Sequence, residues 1–335
     1  MRRQGAAALL AASCLAGCLA HREAPSFDDP TVAQLRAGAI VFVDEGSLYR
    51  ARGDGSSSKR LLAAGQVGPG GRVIAAALSA DGKRAACVAM QSIDVRDASG
   101  TDLAVHILEL DKERVIAWRR IGMSALAPPG DSGRYPVAIT APGLAWSRDG
   151  SKLALGLATG PEAAAGRVIL LDVLGAPLAD LVVAWSGLGG MTSVSWSRDG
   201  TWLALGLARL DASGGAPAPV VAALDLAAAG DGPGALRVIA PGGYPAVSPD
   251  GTRIAVVSPR DGLTDLAVLD DRGAEVTRFI RPAGKALHHP FWSSDGRFLY
   301  YYSLASTGPL GLLEITMLRC LDTRTRLVQD LVRLS

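Results

Sequence analysis

Residues 194–200 read VSWSRDG, residues 144–150 read LAWSRDG, and residues 290–296 read PFWSSDG. Looser copies stand within ALSADGKRAACVA at 77–89 and AVSPDGTRIAVVS at 246–258. Each copy has an apolar pair, then Ser-x-Asp-Gly, two mostly polar residues and a second apolar run. That is the grammar of a β-hairpin: Asp accepts hydrogen bonds from the turn backbone, and Gly takes the positive φ that a side chain would penalise. The Trp that precedes three of the turns is expected to fill the gap between neighbouring units.

Two further strands follow each hairpin. A third ends near Asp, in AVHILELD at 104–111, RVILLDV at 167–173, VVAALDL at 220–226, LAVLDD at 266–271 and ITMLRCLD at 315–322. A fourth follows in RVIAWRR at 114–120, LADLVVAW at 178–185, LRVIA at 236–240, VTRFI at 276–280 and RLVQDLV at 326–332. Four strands about every 45–50 residues is the period of a β-propeller blade. Sheets stacked face to face are buried on both sides, so runs such as LALGLA need not alternate. Residues 38–64 supply the second, third and fourth strands of a further blade without a hairpin of its own. The reading is an all-β, six-bladed β-propeller of four-stranded antiparallel blades over 38–335. The sixth inner strand is either drawn from residues 31–36 or missing.

The Ser-x-Asp-Gly hairpins followed by Leu/Ile-Ala resemble the repeats of TolB-like propellers, periplasmic relatives of WD-repeat proteins. The resemblance covers about residues 38–333 and implies the fold. Such repeats occur in envelope scaffolds, in the propeller lids of peptidases and in many lipoproteins, so the resemblance does not select an activity. The chain departs from the family's namesake: it has a lipoprotein-like start, and no α/β domain fits before residue 38. A role in the Tol system is therefore not carried over.

The start is MRRQGAAALLAASCLAGCLA. Arg2 and Arg3 precede a short apolar stretch, as in a secretory signal over 1–17. Leu15-Ala16-Gly17-Cys18 resembles the bacterial lipobox, which makes Cys18 the expected lipidation site; the alternative is an ordinary signal cleaved nearby. Residues 18–37 read as a polar tether. Leu19, not Asp, follows the cysteine, which by resemblance to Gram-negative sorting rules favours the outer membrane, facing the periplasm. Membrane attachment is expected through lipid alone.

The 335 residues are 49% hydrophobic with a net charge of +2, and no run of like charge suggests nucleic acid. Cys87 and Cys320 fall in blades two and six with blade one between them. Stacked sheets are about 10 Å apart, too far for a disulfide, so two buried free thiols are expected.

Loops alternate between the two ends of a propeller. The longer set joins second to third strands and blade to blade, the longest being 119–143. Long loops on one rim of a rigid scaffold are where binding usually resides. That rim collects Arg96, Asp97, Arg119, Arg120, Arg134, Tyr135, Arg209, Asp211, Arg260, Asp261, Arg281, His288 and His289. Arg forks there could hold a peptide or an acidic group; equally, exposed loops carry charge because they are exposed. His288 and His289 are adjacent, and neighbours in a strand point to opposite faces, which argues against a shared metal ion. No H-x-x-x-H, C-x-x-C, G-x-S-x-G or phosphate loop occurs, and one Asp per turn is too few for a calcium loop. Neither cofactor nor metal is expected. The leading function is a monomeric envelope lipoprotein that binds a protein or peptide or acts as a scaffold. The alternatives are a lactonase- or lyase-like enzyme at the channel mouth and a purely structural domain.

Overall fold

The computed structural model describes residues 29–334, except 69, 92–101, 122–142, 160–164, 184–187, 211–216, 230–234, 261–262, 280–285 and 308–311. Six antiparallel sheets follow one another along the chain and around an axis. Blade 1 comprises β1 (Ala39–Asp44), β2 (Ser47–Arg52) and β3 (Lys59–Leu62). Blade 2 comprises β4 (Arg72–Leu78), β5 (Arg84–Gln91), β6 (Asp102–Glu109) and β7 (Arg114–Ile121). Blade 3 comprises β8 (Gly143–Trp146), β9 (Lys152–Thr159), β10 (Ala165–Asp172) and β11 (Pro177–Val183). Blade 4 comprises β12 (Leu188–Trp196), β13 (Trp202–Arg209), β14 (Ala218–Asp225) and β15 (Leu236–Pro241). Blade 5 comprises β16 (Gly243–Val247), β17 (Arg253–Arg260), β18 (Leu263–Asp270) and β19 (Glu275–Phe279). Blade 6 comprises β20 (Ala286–Trp292), β21 (Phe298–Thr307), β22 (Leu312–Asp322) and β23 (Val328–Arg333). The six-bladed propeller expected from the repeats is therefore the fold, with five four-stranded blades and one of three among the described residues.

The Ser-x-Asp-Gly turns close as their chemistry requires. In blade 4 the Ser197 hydroxyl donates to Asp199 Oδ1 at 2.8 Å and accepts from the Trp202 amide at 3.0 Å. Asp199 Oδ1 also accepts from the Thr201 amide at 3.1 Å, and Gly200 sits at φ 72°. The strands then pair in register, Val194 with Leu205 and Trp196 with Leu203. The tryptophans tie blades together. Trp146 donates to the Ala77 carbonyl at 3.2 Å, Trp196 to Ala145 at 3.0 Å and Trp292 to Ala246 at 2.9 Å, each reaching the inner strand of the preceding blade.

The core is a set of slabs between blades. Leu153 and Leu155 pack with Ala86 and Val105 between blades 2 and 3, and Ala154 packs with Val194 and Leu205 between blades 3 and 4. Cys87 is buried between blades 1 and 2 and Cys320 between blades 6 and 1, both as free thiols. Burial pushes the Cys87 thiol up to about 12 and raises that of Cys320.

Among the described residues blade 1 has no fourth strand: β1 is an edge, and the residues before it form α1 (Asp29–Ala37), not a strand. Pro30 suits the first turn of a helix, and the Gly38 amide closes the last turn on the Leu35 carbonyl at 2.9 Å. α1 lies within the stretch read from sequence as a tether, yet it is docked. Leu35 is buried among Ile40, Phe42, Phe298 and Tyr300, and Thr31 accepts from Arg297 at 3.0 Å. The ring closes through that cluster, where blade 6 meets blade 1.

Candidate functional site

The inner strands β16 and β20 carry the same irregularity. β16 bulges between Gly243 and Ala246, and β20 between His288 and Phe291. In each, one residue ahead of a proline is driven to positive φ: Tyr244 at 52° before Pro245 and His289 at 46° before Pro290. A residue preceding proline is pushed toward extended conformations, and a bulky side chain in the left-handed region is strained. Strain of this kind clusters where a side chain must be aimed.

The two bulges aim at each other. The Tyr244 ring lies 4.4 Å from that of His289 and 4.7 Å from that of His288, and the imidazoles are 5.9 Å apart. Tyr302 of β21 meets His289 edge-on at 6.5 Å. The argument that adjacent strand residues face opposite ways does not hold at this pair, because the bulge removes the alternation. Burial pushes the His289 pKa down to about 4, with the neighbouring His288 adding to it, and burial lowers His288 also. Burial raises the Tyr244 and Tyr302 phenols. At neutral pH the cluster is uncharged and aromatic, able to stack and to exchange hydrogen bonds. Among the described residues no group of three or more His, Cys, Asp or Glu converges. No helix among them is long and apolar enough to cross a membrane.

No protein-family profile matches the chain. No curated protein matches it either. Solved structures do. TolB from Acinetobacter baumannii superposes with a TM-score of 0.57 at 17% identity, over 89% of this chain and 64% of that one. A putative TolB from Agrobacterium tumefaciens gives 0.54 at 14%, over 88% of both chains. The chain shares the propeller fold of these two TolB structures. The tricorn protease gives 0.54 at 15% identity, over 88% of this chain but only 25% of its own. At these identities the likeness concerns the fold. This chain also spans less than two thirds of the Acinetobacter protein.

Of the rim residues read from sequence, the described ones stand on several different strands. Arg119 and Arg120 lie on β7, the outer edge of blade 2. Arg209 ends β13 and Arg260 ends β17, both exposed. His288 and His289 lie on the inner strand of blade 6. Cys18, Arg96, Asp97, Arg134, Tyr135, Asp211, Asp261 and Arg281 lie outside the described residues. Tyr244 was missed by sequence reasoning, although a signal was there. Tyr-Pro in GYPAVSPDG and His-Pro in HHPFWSSDG stand at the same distance before the hairpin Ser.

Proposed function

We propose that the protein is an envelope-anchored lipoprotein whose propeller holds a protein or peptide segment at the long-loop rim. The observation that carries this reading is the matched pair of strained bulges, which converge Tyr244 and His289 at the end of the inner strands where blade-to-blade connections enter. Neutral aromatic and imidazole groups suit peptide backbone and apolar side chains. The flanking arginines Arg209 and Arg260 would add selectivity for acidic segments. The chemistry of the start supports attachment through Cys18, and the lipobox leaves the propeller tethered, not embedded.

The test has two arms. Cys18→Ser should move the protein from the membrane fraction to the soluble fraction; retention in the membrane would refute the anchor. Crosslinking in intact cells should recover one defined partner with the native chain, and lose it with the double variant Tyr244→Ala, His289→Asn while unfolding midpoints stay comparable. An unchanged crosslink pattern in the double variant would refute the rim as the contact.

A further inference from the structure

A different part of the molecule carries a second site. Between blades 1 and 2, at the end of the ring where the Ser-x-Asp-Gly turns lie, is a cleft of about 390 Å³. Its walls include Arg36, Arg50, Arg52, Lys59, Ser57 and Glu113. Four cations in one cleft are notable on a chain whose total net charge is +2.

The arrangement follows from strand geometry. Leu48, Arg50 and Arg52 alternate along β2, so they share a face, and Leu48 packs with Cys87 and Leu108 of blade 2. Two guanidinium groups therefore stand one above the other, about 6.6 Å apart at the backbone, on the wall turned to blade 2. The other cations already have partners. Arg36 holds Asp54 at 2.6 Å, and Lys59 holds both carboxylate oxygens of Glu113 at 2.6 Å. Arg50 and Arg52 engage no acid among the described residues.

Glu113 enters the cleft from blade 2. It comes from the β6–β7 turn of blade 2 and sits at φ 49°. The positive-φ residue in the β10–β11 and β18–β19 turns is a glycine, Gly175 or Gly273, whereas in the β22–β23 turn it is Arg326, which reaches Thr277 of the preceding blade. Here a charged side chain occupies the strained position and reaches across to blade 1. A carboxylate thus already lies against one cation of the cleft.

We propose that this cleft binds a phosphoryl dianion through Arg50 and Arg52, with Glu113 as an internal competitor that occupies Lys59 when the site is empty. A phosphoryl group fits better than a single carboxylate. Two guanidinium forks, an ammonium and the Ser57 hydroxyl offer more donors than two oxygens can use, and a tetrahedral dianion matches them. The volume leaves room for an organic remainder, as in a soluble phosphate ester or a phospholipid headgroup.

The experiment uses the full chain with glycerol 3-phosphate as the soluble probe, titrated calorimetrically. Vesicles of phosphatidylcholine with and without phosphatidylglycerol form the second arm. Saturable binding is expected, weakened about tenfold or more by the double variant Arg50→Gln, Arg52→Gln. Glu113→Gln should act in the opposite direction and tighten binding, because Lys59 is released. Arg237→Gln, an exposed cation on β15, should change nothing. Vesicle binding that depends on phosphatidylglycerol and is competed by glycerol 3-phosphate identifies a headgroup; glycerol 3-phosphate binding with no such lipid dependence identifies a soluble ester. Absence of saturable binding in both arms, or equal affinity of the Arg50/Arg52 variant at an unchanged unfolding midpoint, would overturn the proposal.

Discussion

The junction between blades 3 and 4 and the junction between blades 6 and 1 solve one problem in opposite ways. On the face of β9 turned to blade 4 the residues are Ala154 and Gly156; at the same places on β21, turned to blade 1, stand Tyr300 and Tyr302. The small residues are needed where an inner strand presses. A Cβ on Gly156 would lie 2.5 Å from Met191 Sδ of β12. Among the described residues blade 1 brings no inner strand, and the rings fill the junction instead. Tyr300 stacks on Phe291 at 5.0 Å, Phe42 on Tyr49 at 5.4 Å, and Leu35 of α1 completes the cluster. The lesson is that side-chain size along the second strand of a blade reports what the next blade supplies.

The largest effect should come from giving the closing junction the residue used by the others. Tyr300→Ala removes a buried ring that no neighbour can replace, and about 3–5 kcal/mol of stability should go with it. Urea unfolding measures this. A loss below about 1 kcal/mol would mean that the rings do not close the wheel. Leu35→Ala should come next, at about 2–5 kcal/mol, since α1 sets this one apolar side chain fully into the cluster. If α1 were an ornament on a ring closed without it, the unfolding midpoint of this variant would barely move.

Trp196→Phe probes the repeating junction. It keeps most of the packing but deletes the donor to the Ala145 carbonyl, leaving a half-buried acceptor unpaired. The expected loss is about 1–3 kcal/mol, smaller than at the closure. Equal losses for Trp196→Phe and Tyr300→Ala would erase the distinction between the two junctions.

The repeating part of the fold was legible because one turn recurs with enough chemistry to be recognised: Ser caps the Asp, Gly supplies the left-handed residue, and Trp marks the gap to the preceding blade. Blade 1 was legible as strands but not as a junction. Whether residues 29–37 form a strand or a helix depends on the space left by blade 6, which no local pattern in DPTVAQLRA encodes. The candidate site was half legible. His288 and His289 stood out by residue type, but reading them as alternating strand residues hid the bulge. Tyr244 carried no functional residue type and emerged only when Tyr-Pro and His-Pro fell at matching places on adjacent inner strands. The basic cleft was invisible for a related reason. Arg50 and Arg52 are ordinary surface residues in sequence, and only the face they share with Leu48 turns them toward Glu113.

The smallest effect at neutral pH, and the sharpest in its pH dependence, concerns the paired bulges beside the closure. His289 is held neutral by burial, with its pKa lowered to about 4 against about 6.5 for a solvated imidazole. Between those values the unfolded chain binds a proton that the folded chain does not. Its contribution is therefore complete above about pH 6.5 and is lost as pH falls toward 4. The hairpin aspartates act lower. Asp149 is held down to about 2, chiefly by hydrogen bonds from the Ser147 hydroxyl and the Ser151 amide. Asp250 is also held to about 2, because hydrogen bonds from Ser248 and Thr252 outweigh the opposing effect of burial. Stability from these turns is complete above about pH 3.9 and fades as pH falls toward 2. The groups in ring contact with His289 are His288, Tyr244 and Tyr302. His288 shifts the same way and belongs to the same limb. Asparagine tolerates positive φ and does not titrate, so His289→Asn should lessen the fall in melting temperature between about pH 6.5 and 4, with His288 and His106, both lowered by burial, carrying the remainder, while leaving the steeper fall below pH 4 in place. An unaltered upper limb in that variant would show that the imidazole is not enclosed by the bulges as described.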